Sequence, residues 1–320
     1  MRRRVGGVVA AVALSAALAV RASPAAELPP APEAISLLGD TLFAPPLPDS
    51  IRVRYEQRLA EARRDFDNHP ELPGNIIWLG RRTAYLGRFR EAIAIYSRGI
   101  EAHPDDPRLL RHRGHRYITL RVFALAISDL ERATRLMAKR MDETEPDGLP
   151  NARNLPTSTL KFNIWYHLGL AHYLSGDFPS ARRAYRECLR VSTTPDMLCA
   201  TSHWLYMTLR RLGREGEARA LLEPIRADLD VIENRSYQRL LLFYKGALPM
   251  DSLLSGSGDR TAIDDATIGY GIGNWDLYHG RRAEAEAIFR RIVAGPQWPA
   301  FGAIAAEAEI ARIQRAGTAP

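Results

Sequence analysis

One pattern recurs along this chain at a fixed interval and limits the possible folds. Leu79-Gly80, Gly87, Phe89, Ala92, Tyr96, Gly99 and Pro104 are followed 34 residues later by Gly114, Tyr117, Phe123, Ala126, Leu130 and Ala133. Gly80 maps to Gly114, Phe89 to Phe123 and Ala92 to Ala126. Small residues stand at one offset (Gly80, Gly114, Gly169, Gly273), where two helices of a hairpin cross closely and a Cβ would push them apart. Alanine holds a second offset, at Ala92, Ala126, Ala181, Ala218 and Ala285. One helical turn further along the same face stand Tyr96, Leu130, Tyr185, Leu222 and Phe289, large enough to fill the groove between helices.

The intervals between the alanines also measure the irregularities. Ala126 to Ala181 spans 55 residues, which predicts an insert of about 20 residues after the second hairpin. Ala181 to Ala218 spans 37, so the fourth hairpin follows almost directly. Ala218 to Ala285 spans 67, nearly two repeats, which requires a degenerate hairpin between them.

Over residues 73–315 the chain resembles the tetratricopeptide repeat family, whose unit is a helix-turn-helix of about 34 residues. The resemblance implies an all-α fold: a right-handed superhelical solenoid of about six hairpins with capping helices at both ends. The expected organisation is hairpins 1 and 2 over 73–140, an inserted loop over 141–160, hairpins 3 and 4 over 161–230, the degenerate fifth over 233–265, and the sixth with a closing helix over 266–315. An amphipathic helix over 50–70, apolar at Ile51, Tyr55, Leu59, Ala62 and Phe66 and capped by Asp49 or Ser50, is expected to cover the open end of the first hairpin.

Residues 1–26 read as a secretory signal peptide. Arg2, Arg3 and Arg4 precede an apolar run from Val5 to Val20, and small residues follow at Ala22, Ser23, Ala25 and Ala26. The run is short for a bilayer span of about 20 residues. The expectation is a periplasmic or secreted protein with no stable membrane insertion after cleavage; the alternative is an inner-membrane anchor formed by the uncleaved segment. Losing Arg2, Arg3, Arg4 and Arg21 lowers the formal charge from +7 to +3, which removes most of the support for nucleic-acid binding. The proline-rich stretch 27–49 predicts an extended tether or a surface strap.

The search for chemistry yields no catalytic, metal or cofactor site. His112 and His115 are three apart, and His167 and His172 five apart, but neither pair carries the glutamate of a His-Glu-x-x-His site. The acidic insert, Asp142 to Asp147, lacks the ligand order of a calcium loop and reads as a solvated loop. Alternating Gly269, Gly271 and Gly273 follow no strand, as a phosphate-cradling loop would, and Ser255 to Gly258 has no strand-turn-helix context for a nucleophile. Cys188 and Cys199 read as packed thiols, with a disulfide as the alternative.

In the family it resembles, the first helix of each hairpin lines a concave groove. Carried onto this chain, that lining is Arg81 and Tyr85; Arg108, Arg111 and His115; Asn163, Tyr166 and Tyr173; His203, Met207, Arg210 and Arg211; Arg239 and Tyr244; Tyr270, Asn274 and Tyr278. It is basic, aromatic and amide-bearing, which suits a protein or peptide segment with acidic groups, because arginine makes bidentate bonds to carboxylates and tyrosine adds rigid contact area. Arg81, His115 and Leu170 do not reproduce the lysine and asparagine clamp of the family's chaperone-tail binders. The expected function is a non-enzymatic binding scaffold; the alternative is an accessory subunit of an envelope enzyme or assembly machinery, with the insert as its contact.

Overall fold

A computed structural model describes residues 31–254 and 262–317. The predicted signal segment, 1–26, lies outside them. Residues from Pro32 onward form one compact unit, an all-α solenoid. A strap over 32–48, with short strands β1 (Ala34–Ile35) and β2 (Thr41–Leu42) paired antiparallel, leads into α1 (Asp49–Asn68). The hairpins follow as α2 (Pro73–Tyr85) with α3 (Phe89–Ala102), α4 (Pro107–Thr119) with α5 (Phe123–Met137), and, after the insert, α6 (Leu160–Ser175) with α7 (Phe178–Arg190). Then come α8 (Pro195–Arg211) with α9 (Glu215–Leu221), α10 (Arg235–Tyr244) with the five-residue α11 (Met250–Leu254), and α12 (Ala262–Tyr278) with α13 (Arg282–Val293). Helix α14 (Phe301–Gly317) ends the described chain. No helix among the described residues is long and apolar enough to cross a membrane.

The recurring residues set the crossings. A Cβ built on Gly80 would stand 2.3 Å from the Tyr96 ring, one on Gly169 2.7 Å from Tyr185, one on Gly273 2.5 Å from Phe289, and one on Gly114 2.9 Å from Leu130. In these four hairpins the glycine of the first helix thus receives the large side chain at the third offset of its own second helix. The alanines one turn earlier are buried in all five hairpins. Each large side chain sealed this way stabilises the hairpin by about 1.5–3 kcal/mol relative to exposure.

The turns inside the hairpins obey a second rule. Gly87, Gly176, Gly213 and Gly280 connect first to second helix with φ of 77°, 90°, 67° and 79°. The corresponding residue of the second hairpin is Arg121, with φ 64°, a conformation that costs a side-chain-bearing residue about 1–2 kcal/mol. Its guanidinium is buried against Glu307 of α14, with Nη2 donating to Oε2 at 2.6 Å and Nε to Oε1 at 3.1 Å. It also donates to the carbonyls of Thr119 and Trp298 and lies over the Trp298 ring. The strain is held in place by this buried network.

Two expectations about the ends require correction. The closing helix is not an end cap with one polar face. Residues 302–311 of α14 are buried without interruption, so every face of nearly three turns is covered. Alanine at 303, 305, 306, 308 and 311 makes this possible, and a Cβ on Gly302 would lie 2.5 Å from the Ala266 carbonyl of α12. Helix α14 runs along the inside of the array: Phe301 meets the rings of His115, Tyr166 and His167, and Arg312 donates to the Leu174 carbonyl. The strap then joins the two ends of the array. Leu37 N–H donates to Glu307, Arg90 donates to the Glu33 carbonyl, and Trp298 Nε1 donates to the Phe43 carbonyl. At the start of α1 the cap residue is Pro48 without a side-chain bond, while Asp49 pairs with Arg52 inside the first turn.

Candidate functional site

The residues expected to line the groove do converge on the inner side of the array, and most of them are covered by the chain itself. The insert is one cover, and it departs from the solvated loop expected of it. Thr144 and Thr159 form an isolated antiparallel bridge that closes the base of the loop, supported by Glu145 N–H to the Ser158 carbonyl and Leu160 N–H to the Glu143 carbonyl. This turns Glu145 inward, where it is 8% exposed. Arg111 Nη2 sits 2.9 Å from its Oε1, and Asn163 Nδ2 donates to its Oε2 at 3.1 Å. The next three residues continue along the lining. Arg81 donates to the Pro146 carbonyl at 2.8 Å, Arg82 to the Gly148 carbonyl at 2.7 Å, and Gly148 is so close to Tyr85 that a Cβ would fall 1.5 Å from the hydroxyl.

Arg81, Tyr85, Arg111 and Asn163 therefore hold an acidic tetrapeptide, Glu145-Pro146-Asp147-Gly148, in cis. The outer part of the insert is tied to the segment between α9 and α10 by Thr157 and Asn151, which both donate to Glu233, and by an Arg153–Asp230 ion pair. Burial, with Glu233 nearby, pushes the Asp147 carboxyl up to about 6. His112 on α4 and His167 on α6 are buried beside this segment and His115 is half-buried, its ring tilted against that of His167 with centroids 4.5 Å apart. Burial pushes all three imidazoles well below their usual range, so they are neutral packing groups.

Helix α14 is the second cover. It places Phe301 on His115 and Tyr166, and Glu309 on Arg211 at 3.0 Å and Tyr270 at 3.4 Å. Other lining residues turn toward each other. Tyr173, Tyr270 and Asn274 form a buried hydroxyl-amide cluster, with Tyr173 and Tyr270 oxygens 2.7 Å apart. Tyr166 hydroxyl meets Tyr237 and accepts from Trp204 Nε1. His203 is stacked between Tyr237 and Tyr244, its centroid 4.7 Å and 6.0 Å from theirs. Arg108 chelates Asp106 at the start of α4, and Arg239 donates to the Ser252 and Leu253 carbonyls. Cys188 and Cys199 are buried, unbridged thiols, and Cys188 Sγ lies 3.1 Å from Thr201 Oγ1.

Arg108 faces an open cleft beside the start of α4, and three more of the expected residues share another. Arg210, Arg211 and Tyr278 line a cleft of about 410 Å³ where α8 and α12 end beside α14, together with Leu277, Arg282, Glu309, Arg312 and Ile313. Sequence reasoning missed the carboxylates of the inner surface because Glu145, Glu307 and Glu309 come from the insert and the last helix, outside the repeat offsets. It missed Arg121 as well, although an arginine at the offset where the other hairpins carry glycine was a visible signal.

The tetratricopeptide repeat family matches residues 162–194, which span α6, α7 and the turn between them. No curated protein matches the chain significantly. Among solved structures, BtubC from P. vanneervenii is 16% identical over 85% of this chain and 93% of its own, with a TM-score of 0.42. YrrB, described as a TPR protein with an unusual peptide-binding site, is 13% identical over 77% of this chain and 97% of its own, with a TM-score of 0.40. MamA is 16% identical over 75% of this chain and 97% of its own, with a TM-score of 0.37. Likeness at this level carries no argument about a ligand. The matched segment, α6 with α7, is a tetratricopeptide repeat, and its glycine, alanine and large-residue offsets recur in other hairpins of the array.

Proposed function

We propose that this protein is an exported, non-enzymatic scaffold that holds an acidic segment of a partner protein against its inner lining. The observation that carries the reading is the cis complex of Arg81, Tyr85, Arg111 and Asn163 with residues 145–148, in which the lining binds an acidic, proline-containing stretch through charge-assisted bonds and main-chain carbonyls. The buried ionisable groups support the non-enzymatic part. Arg111–Glu145, Arg121–Glu307 and Arg211–Glu309–Arg312 are engaged in holding the chain to itself.

The test is binding of the chain from residue 27 to a set of acidic peptides and to their amide counterparts, with Asn and Gln replacing Asp and Glu. Acidic peptides should bind and the amide set should lose most of that affinity; equal binding by both sets overturns the reading. Export is tested separately by fractionation and by the mature N-terminus, expected after one of residues 22–26. An intact N-terminus in the membrane fraction would replace export with anchoring.

An accessory role in an envelope enzyme or assembly machinery draws on a different observation. Met141, Leu149 and Leu155 of the insert are 91%, 45% and 46% exposed and offer an apolar contact. Serine at the three positions should abolish support of that partner while leaving the fold intact; unchanged support removes this reading.

A further inference from the structure

The cleft at the end of α8, α12 and α14 has a surplus of positive charge that the chain does not neutralise. Four guanidiniums line it, those of Arg210, Arg211, Arg282 and Arg312. Arg211 and Arg312 share the single buried carboxylate of Glu309, at 3.0 Å and 2.8 Å. Burial pushes that carboxyl up, and the two arginines more than offset it, so Glu309 is held below the usual carboxylate range and is ionised. Arg210 is different. Its side chain is only 14% exposed, yet the nearest carboxylate, Glu215, is 3.9 Å away on a side chain that is 69% exposed. Its other neighbours are the Tyr206 hydroxyl, 3.2 Å from Nη1, and the faces of Tyr206, Trp275 and Tyr278.

The ordinary explanation for arginines here is that they offset the partial negative charge of helix C-termini. Arg210 and Arg211 do lie in the last turn of α8, and α12 ends at Tyr278. Two helix ends supply about −0.5 each, so together with Glu309 and the rim carboxylate of Glu215 they leave the four guanidiniums still in excess. A second observation is independent of that count. The Tyr278 hydroxyl is buried and has no hydrogen-bond partner among the described residues. Burial raises its pKa well above the usual value, so it remains a hydrogen-bond donor. A buried donor without an acceptor is costly and is normally matched by one.

We infer that this cleft is an oxyanion-binding site. Arg210, Arg282 and the Tyr278 hydroxyl would supply donors to a carboxylate or phosphate group, with Leu277 and Ile313 as the apolar walls beside it. The site deepens the scaffold reading and rests on it for the source of the anion, a side chain or chain end of the bound acidic segment. A free phosphate presents the same chemistry.

The experiment is calorimetric titration of the chain from residue 27, at fixed ionic strength, with inorganic phosphate, with acetate, and with the tightest acidic peptide from the binding set. Tyr278→Phe removes one hydroxyl without changing ring packing, and Arg282→Gln alters an exposed side chain, so both variants should fold. Phosphate should bind and compete with the peptide, and each variant should lose about tenfold or more in anion affinity, the scale of one hydrogen bond to a charged group. Peptide binding unaffected by phosphate and by both variants overturns the cleft while leaving the scaffold reading intact. Phosphate binding that both variants weaken, with no peptide bound, upholds the cleft and overturns the scaffold reading. If neither phosphate, acetate nor peptide binds at millimolar concentration, the cleft is overturned.

Discussion

Replacing Arg121 with glycine sets two effects of opposite sign against each other. The turn position is left-handed, and glycine occupies it in the corresponding turns at 87, 176, 213 and 280, so the substitution relieves about 1–2 kcal/mol of backbone strain. It also leaves the Glu307 carboxylate, whose side chain is 3% exposed, without its cation, a loss of about 3–5 kcal/mol. The second effect wins, with a net destabilisation of about 1–4 kcal/mol, or roughly 5- to 900-fold in the folding equilibrium. Arg121→Ala keeps the strain and loses the ion pair, so it should be less stable than Arg121→Gly. Adding Glu307→Gln to Arg121→Gly should recover part of the loss, because the amide carries no charge and still offers an oxygen to the Leu37 N–H. Urea unfolding followed by circular dichroism ranks the variants. Hydrogen exchange in α14 locates the change, since an array need not unfold as one unit. An Arg121→Gly protein as stable as the parent, or a double variant less stable than the single, would refute the claim that the ion pair is what retains the strained arginine.

Two further outcomes are expected. Asp147 titrates near 6 in the docked insert against an ordinary value of 3.8, so docking is favoured most where the carboxyl is protonated in both states and weakens as pH rises through about 6. Protease cleavage within 146–156 should be slower at pH 5 than at pH 7.5, and Asp147→Asn should abolish the difference; the opposite pH trend would remove Asp147 as the cause. Gly169→Ala places a Cβ 2.7 Å from the Tyr185 ring, and overpacking of this kind destabilises by about 1–3 kcal/mol, readable as a lower urea midpoint.

The array was legible in the sequence because the rule that builds it is local. A glycine that receives the ring sixteen residues later, as Gly80 receives Tyr96, must recur with the hairpin whatever else surrounds it. The insert has no such rule. Its inward turn at Glu145 depends on Arg111 and Asn163, which lie on different helices and are brought together only by the completed array. Helix α14 misled for another reason. Its apolar positions Phe301, Ile304, Ala308 and Ile310 suggest one buried face, but the residues between them are small, Gly302, Ala303, Ala305 and Ala306, or are the two glutamates, which are paired with Arg121 and Arg211 instead of facing water. A repeat offset places a side chain on the inner side and says nothing about what the rest of the chain lays over it.

A repeat array ordinarily has two independent ends and can gain or lose units without closing on itself. Here the Leu37 N–H bonds to a carboxylate 270 positions away, on a helix synthesised after every hairpin of the array. No nascent fragment shorter than that contains α14, so each one lacks the second cover of the inner side and leaves Arg121 and Arg211 without their carboxylates. Completion is therefore a late, non-local event, which slows folding but makes the finished molecule resist unravelling from either terminus. Under the proposed export, the contact between strap and α14 would form only once the last helix has crossed.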